Sequence, residues 1–180
     1  MNRVAFIGQQ RAGKDTAADL FLAWATKKYY ISEESVARYS LAAPIKELVT
    51  SAYGDQRSMR EPCQYIGAAL RKYDKNFWVK ILKRKVFQDK ALFAAITDVR
   101  YPNECVELSK LGFTLIGISA PNEERYLRSG RDQEEWEEAE RHESETHARA
   151  CLLDAPYTVK NDGALDEFRK RLVKILESDE

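Results

Sequence analysis

The chain has 180 residues, enough for one domain with a sizeable core and too few for two of ordinary size. Apolar residues at 44% and charged residues at 32% describe a globular protein and exclude a disordered or low-complexity chain. Lys and Arg number 29 and Asp and Glu number 29, so the whole molecule has no electrostatic footprint for nucleic acid or an anionic membrane, and any anion site must be local.

The N-terminus, Met1-Asn2-Arg3, runs straight into an apolar segment without a signal-peptide pattern, and no stretch approaches the 18 or so apolar residues of a membrane span. A cytoplasmic location is expected. Residues 3–8 (RVAFIG) read as a parallel strand buried on both faces and closed by glycine. From Lys14 onward Ala17, Ala18, Phe21, Trp24 and Ala25 recur at helical spacing, which predicts a helix to about Tyr29. Val36–Leu41 is a second strand, and Pro44 sits near the first turn of a helix over Ile45–Tyr53. Residues 60–87 carry helical patterns and no strong strand, and they read as an inserted helical subregion spanning roughly residues 44–88 with the preceding helix.

Ala91–Val99 and Thr114–Ser119 are the next strands, separated by a helix over Asn103–Leu111 that Gly112 closes. Residues 121–150 are very polar yet rich in helix formers, and most of their glutamates read as a solvated helical face. Tyr157–Lys160 is a last strand, followed by the turn Asn161-Asp162-Gly163 and an amphipathic helix over Leu165–Leu176. Strands alternating with helices predict a single α/β domain over residues 1–180, a parallel sheet with helices on both faces. Cys63, Cys105 and Cys151 are odd in number and lack a CxxC pair, so they read as reduced thiols rather than a disulfide or zinc framework. His142 and His147, five apart, make a poor metal pair.

The stretch GQQRAGKDT (8–16) has the spacing of a phosphate loop between strand and helix. Gly8 and Gly13 let the backbone curl so that amides at Arg11, Ala12, Gly13 and Lys14 face a polyphosphate, the helix adds its positive dipole end, and Lys14 reaches the outer phosphates. The strict pattern has Ser or Thr directly after the lysine; here Asp15 intervenes before Thr16, an arrangement seen in adenylate-kinase-like enzymes. Magnesium would then be held largely through water, with Thr16 and Asp98 as its candidates. Asp98 ends an apolar strand, where the crevice of an open α/β sheet lies, and Arg100 two residues on shares its side of an extended chain.

A transferring phosphoryl group spreads charge over its oxygens and needs cations beyond one lysine. Arg125, Arg128 and Arg131, at intervals of three, would share one helix face in a mobile lid, with Arg128 and Arg131 in catalytic roles. In the insertion, Arg60, Gln64, Arg71 and Trp78 can supply phosphate neutralisation, base-edge hydrogen bonds and a stacking surface, although an indole beside Phe77 is more often core.

The sequence resembles the deoxynucleoside monophosphate kinases encoded by bacteriophages and their bacterial relatives, nearly end to end. The likeness rests on GKDTAAD (13–19), SLAAPIKE (40–47), REPCQYIG (60–67), NFWVKIL (76–82), ITDVRYPNE (96–104), HESE (142–145) and KNDG (160–163). It implies transfer of the ATP γ-phosphate to a deoxynucleoside monophosphate with Mg2+, in the host cytoplasm where phage-encoded. It also implies a nucleoside-monophosphate-kinase fold: a five-stranded parallel sheet in three layers, a substrate-binding helical insertion and a lid. GKDT looks like this family's own version of the loop. Carried over by position, Gly8 to Thr16 would hold ATP, Asp98 and Arg100 would face the reacting groups, and Lys46, Arg60, Gln64 and Arg71 would serve the acceptor. Asn161 would border the adenine and His142 would close on substrate. Leu41 and Ala43 stand where family members tend to carry an aromatic and an acid, which leaves the preferred base open. A kinase for another small metabolite and a non-catalytic nucleotide sensor remain as rivals. Nucleotides are the expected partners, with neither nucleic acid nor membrane, and a homodimer stays open.

Overall fold

β1 (Arg3–Ile7) lies at the centre of the molecule, with Val4, Ala5, Phe6 and Ile7 fully buried. The structure is a computed structural model that describes residues 1–54 and 59–178, with the Arg60 side chain also outside the description. β1 pairs in parallel with β3 (Phe93–Val99) on one side and β4 (Thr114–Ser119) on the other; β2 (Val36–Ser40) and β5 (Tyr157–Lys160) form the edges. The order is β2-β3-β1-β4-β5. The expected five-stranded parallel sheet is thus present, and its connections leave β1 and β3 in opposite directions, which opens a crevice beyond the C-terminal ends of those strands.

Alternation along the strands divides the core into two layers. Val4 and Phe6 join Phe93, Ala95, Ile116 and Ile118 beneath α1 (Lys14–Tyr29) and α9 (Leu165–Glu177), where Phe21, Phe168, Leu172 and Leu176 are almost wholly buried. Ala5 and Ile7 face the other way, with Ala94 and Ile96, against α2 (Ala43–Tyr53), α4 (Phe77–Asp89) and α5 (Pro102–Lys110). Each large side chain in these layers contributes roughly 1.5–3 kcal/mol relative to exposure. α3 (Arg60–Tyr73) packs on α2 and α4, so the helical insertion read from the sequence comprises three helices.

The polar segment after β4 holds three helices, α6 (Asn122–Leu127), α7 (Gln133–Arg141) and α8 (Glu143–Leu153). α8 packs against α5, β4 and β1, burying Ala148 and Cys151, and so belongs to the sheet's helical layer. α7 buries Trp136 and Ala139, so this stretch is less solvated than its composition implies. No described helix is long and apolar enough to cross a membrane.

Candidate active site

The loop after β1 holds three residues at positive φ, Gly8 at 152°, Arg11 at 59° and Gly13 at 103°. A Cβ at Gly8 would run into the Ile118 carbonyl, so that position requires glycine for space as well as for conformation, and one at Gly13 would displace the Asn161 amide nitrogen. The curled backbone delivers the chain into α1 at Lys14, pointing the helix N-terminus at the crevice. Lys14 is buried and donates from Nζ to the Gln9 carbonyl at 2.8 Å. Burial, followed by the Arg100 charge, pulls its pKa from 10.5 down to about 8. Asp15, next in line, ion-pairs with Arg38 of β2. That contact ties the first turn of α1 to the neighbouring edge strand.

One cavity of about 920 Å³ opens over this loop. The loop and the start of α1 form one wall and α2 with α3 another; residues 98, 100 and 101 lie between them, and Arg128, Arg131 and residues 142–144 close the remaining side. Of the residues expected at the site, Arg11, Gly13, Lys14, Asp15, Thr16, Lys46, Gln64, Arg71, Asp98, Arg100, Arg128, Arg131 and His142 all line it. Gly8 and Ala12 lie behind them in the loop. The Arg60 side chain falls outside the described residues.

β3 ends in a bulge: Ala5 pairs with Ile96 but Ile7 with Val99, so three residues of β3 span two of β1, and Asp98 sits at φ 63°. The bulge moves Val99 to the layer of α2 and α4 and re-aims Asp98. Asp98 and Arg100 do share the cavity, then, but through the bulge and not through simple alternation. Asp98 Oδ2 accepts from Ser40 Oγ at 2.6 Å. Burial pushes its carboxyl up; the Ser40 hydrogen bond and the Lys14, Arg100 and Lys46 charges outweigh that and hold it below the ordinary value.

Two expectations need correction. Trp78 is 2% exposed, donates from Nε1 to the Gly67 carbonyl at 3.1 Å and does not line the cavity; with both indole faces packed it offers no stacking surface. Asn161 Nδ2 donates to the Ala12 carbonyl at 2.9 Å beneath the loop, and its own carbonyl accepts from the cavity-lining Arg128. Second, the three arginines do not share a helix face, because α6 ends at Leu127 and the chain turns through Gly130 at φ 65°. Arg125 is buried and paired with Glu140 at 2.7 Å, while Arg128 and Arg131 reach the cavity. Arg128 donates from Nη2 to the Asn161 carbonyl at 3.1 Å, and its Nη1 has no partner among the described residues.

Sequence reasoning missed the carboxylates that hold these cations. Glu104 is fully buried, accepts from the Arg100 and Tyr101 amides at 2.9 and 3.1 Å, and binds Arg71 at 3.1 Å. A glutamate three residues into a helix is a capping signal that YPNE already displayed. The Arg71 guanidinium lies 4.4 Å from the Tyr101 ring centre, so Arg71 is held from two sides. Gln10 receives Arg131 Nη1 on its Oε1 at 2.9 Å and donates from Nε2 to Glu140 at 2.9 Å. His142 caps α8, its Nδ1 accepting the Ser144 N–H at 3.2 Å.

Residues 3–68 match the family model for deoxynucleotide monophosphate kinase. The chain is similar to the deoxynucleotide monophosphate kinases. The matched stretch holds the phosphate loop and the walls contributed by α2 and the first part of α3, and it agrees with the resemblance carried by the motifs. Among curated proteins, none matches the chain. Among solved structures, the Thermus thermophilus protein TT1252 superposes with a TM-score of 0.63 at 18% identity, over 99% of this chain and 98% of that one. Shikimate kinase from Aquifex aeolicus vf5 gives 0.55 at 19% identity over 98% and 97%. Shikimate kinase from Acinetobacter baumannii, solved with shikimate, gives 0.55 at 15% over 100% and 95%. At these identities the likeness carries the fold alone, a five-stranded parallel sheet flanked by helices. The family match supports a phosphotransferase, with deoxynucleotide monophosphate kinase activity.

Proposed function

We propose that the chain transfers the γ-phosphate of ATP to a deoxynucleoside monophosphate, giving ADP and the deoxynucleoside diphosphate, and that it does so in the cytoplasm. The observation that carries this reading is a single cavity in which the matched phosphate loop faces the matched acceptor wall, with Lys14, Lys46, Arg71, Arg100, Arg128 and Arg131 around it. Two anions brought together need that density of cations.

In this reading the loop amides and Lys14 hold the donor phosphates, and Arg128 and Arg131 lie over them. Lys46, Gln64 and Arg71 receive the acceptor, while Asp98 and Arg100 stand where the two meet. The acceptor phosphate oxygen is already anionic and needs little help from a base. Positioning and charge neutralisation then account for most of the rate. The donor set fits a magnesium ion of the nucleotide-borne kind: the Asp98 carboxylate, held in its charged form, and the Thr16 hydroxyl both line the cavity. Such an ion, bound with ATP, would neutralise phosphate charge; the residues named above would position the reactants.

The test is ADP release from ATP and Mg2+ with each of dAMP, dGMP, dCMP, dTMP and their ribonucleotide counterparts, with Lys14→Ala as the blank. Turnover that depends on a deoxynucleoside monophosphate and is lost in Lys14→Ala is the expected result. ATP binding without turnover on any of these acceptors would overturn it in favour of a sensor or another acceptor.

A further inference from the structure

We infer that Glu145 is a positioning residue: its buried carboxylate, shared between the phosphate loop and Arg100, fixes the Arg100 guanidinium in the catalytic cavity. The inference rests on the phosphotransfer reading above and gives a role to the HESE stretch, whose chemistry the motif did not disclose.

Glu145, in the first turn of α8, is 2% exposed. Its Oε2 accepts the Gln10 N–H at 2.8 Å, and its Oε1 accepts from Arg100 Nη1. One oxygen therefore anchors the loop that carries Lys14, and the other anchors an arginine beyond the β3 bulge. Arg100 has one further side-chain partner on the same turn of helix, the Ser144 hydroxyl at 3.1 Å, and its backbone N–H is held by Glu104 at 2.9 Å. The long arginine side chain is thus fixed at its root by one buried carboxylate and at its tip by another.

A purely structural ion pair would be closed off from ligands. Here Arg100 and Ser144 both line the cavity, so the pair presents a face to it. A guanidinium pre-oriented by a carboxylate meets developing phosphoryl charge without reorganising, whereas a free one must be ordered during the reaction. Glu145 itself does not line the cavity; the cavity-lining side chain it touches is Arg100, and its charge also falls on Lys14.

Glu145→Gln isolates this role. Glutamine keeps the shape and an acceptor oxygen for the Gln10 N–H, but it replaces the charged partner of Arg100 with a neutral amide. The first readout needs no substrate: 15N relaxation of the Arg100 Nε–H, assigned with Arg100→Gln, shows an ordered side chain in the native protein and a mobile one in Glu145→Gln. The second is steady-state kinetics with the best acceptor from the screen. We expect kcat to fall about tenfold or more while both KM values stay within about threefold. In an Arg100→Gln background the same substitution should change kcat by less than about twofold, because the partner it acts through is gone.

An unchanged Arg100 order in Glu145→Gln, or losses that multiply in the double variant, would overturn the inference. Should the native protein turn over no deoxynucleoside monophosphate, the proposed function fails, and the Arg100 order alone decides for or against Glu145. Glu145→Asp, which keeps the charge but is too short to span both partners, carries the same measurements if the glutamine variant does not fold.

Discussion

Lys14 shows in one side chain how a site is built at the expense of stability. Burial, and after it the Arg100 charge, lowers its pKa to about 8, so at neutral pH the folded protein carries a cation that its surroundings disfavour. The unfolded chain keeps the ordinary value of 10.5, and between about 8 and 10.5 it binds more protons than the folded one. Stability from this group therefore rises with pH across that window, and the penalty is present in full below it. Lys14→Met should abolish turnover and yet stabilise the ligand-free protein at pH 7 by about 1–3 kcal/mol. Urea unfolding of both proteins at pH 7 and pH 10 checks this: the difference should shrink at the higher pH. A variant that is less stable than wild type at pH 7 would show that the Gln9 contact outweighs the desolvation. In the proposed complex the phosphates would add counter-charge to that of Asp98, Glu145 and Asp15, which is how a site for a polyanion would tolerate such a lysine.

At the scale of elements, the phosphate loop is held from outside by the helices that follow β4. Gln10 and Arg125 both meet Glu140, and Arg125 also donates to the Gln10 carbonyl at 3.3 Å. Burial raises the Glu140 carboxyl, but hydrogen bonds from Arg125 and Gln10 outweigh it and bring its pKa below the ordinary value. Glu140→Ala leaves the 3%-exposed Arg125 without its carboxylate, and breaking such a pair costs roughly 3–5 kcal/mol. A fall in the urea midpoint of that order, together with weaker ATP binding, is expected; a shift below about 1 kcal/mol would mean that Arg125 finds water instead. The elements themselves were largely legible in the sequence, because a buried parallel strand is a continuous apolar run and an amphipathic helix repeats its apolar face. The loop and most cavity-lining side chains were legible for a related reason: phosphate binding needs glycine, lysine and arginine at set places. The bulge at Asp98 was not, since nothing in ITDV distinguishes a bulged strand from a straight one. Nor were the partners of the arginines, because Gln10 and Glu145 lie 135 residues apart and meet only in the folded chain. Arg125 looked like its neighbours Arg128 and Arg131, and only the place where α6 stops separates their fates.

Seen whole, the molecule is electrically neutral, with 29 basic and 29 acidic residues, and yet it concentrates cations around one cavity. The acidic residues are distributed to match: some pair with surface cations, while Glu104 and Glu145 lie behind the cavity arginines and hold them in place. A neutral protein with the proposed local anion site should respond strongly to small anions that fill the cavity and weakly to extended ones that need a broad basic surface. Ligand-linked stability measures both. A ligand that binds only the folded state at a hundred times its Kd adds about 2.7 kcal/mol, and for a domain of this size each kcal/mol moves Tm by about 2–4 °C. Saturating Mg2+-ATP should therefore raise Tm by about 5–10 °C, and a deoxynucleoside monophosphate added with a non-transferable ATP analogue should raise it further, most for the preferred base. Duplex DNA at matched phosphate concentration should leave Tm unmoved. A rise with DNA that disappears with added salt would place the functional surface outside the cavity, because counterion release accompanies extended contacts with many phosphates.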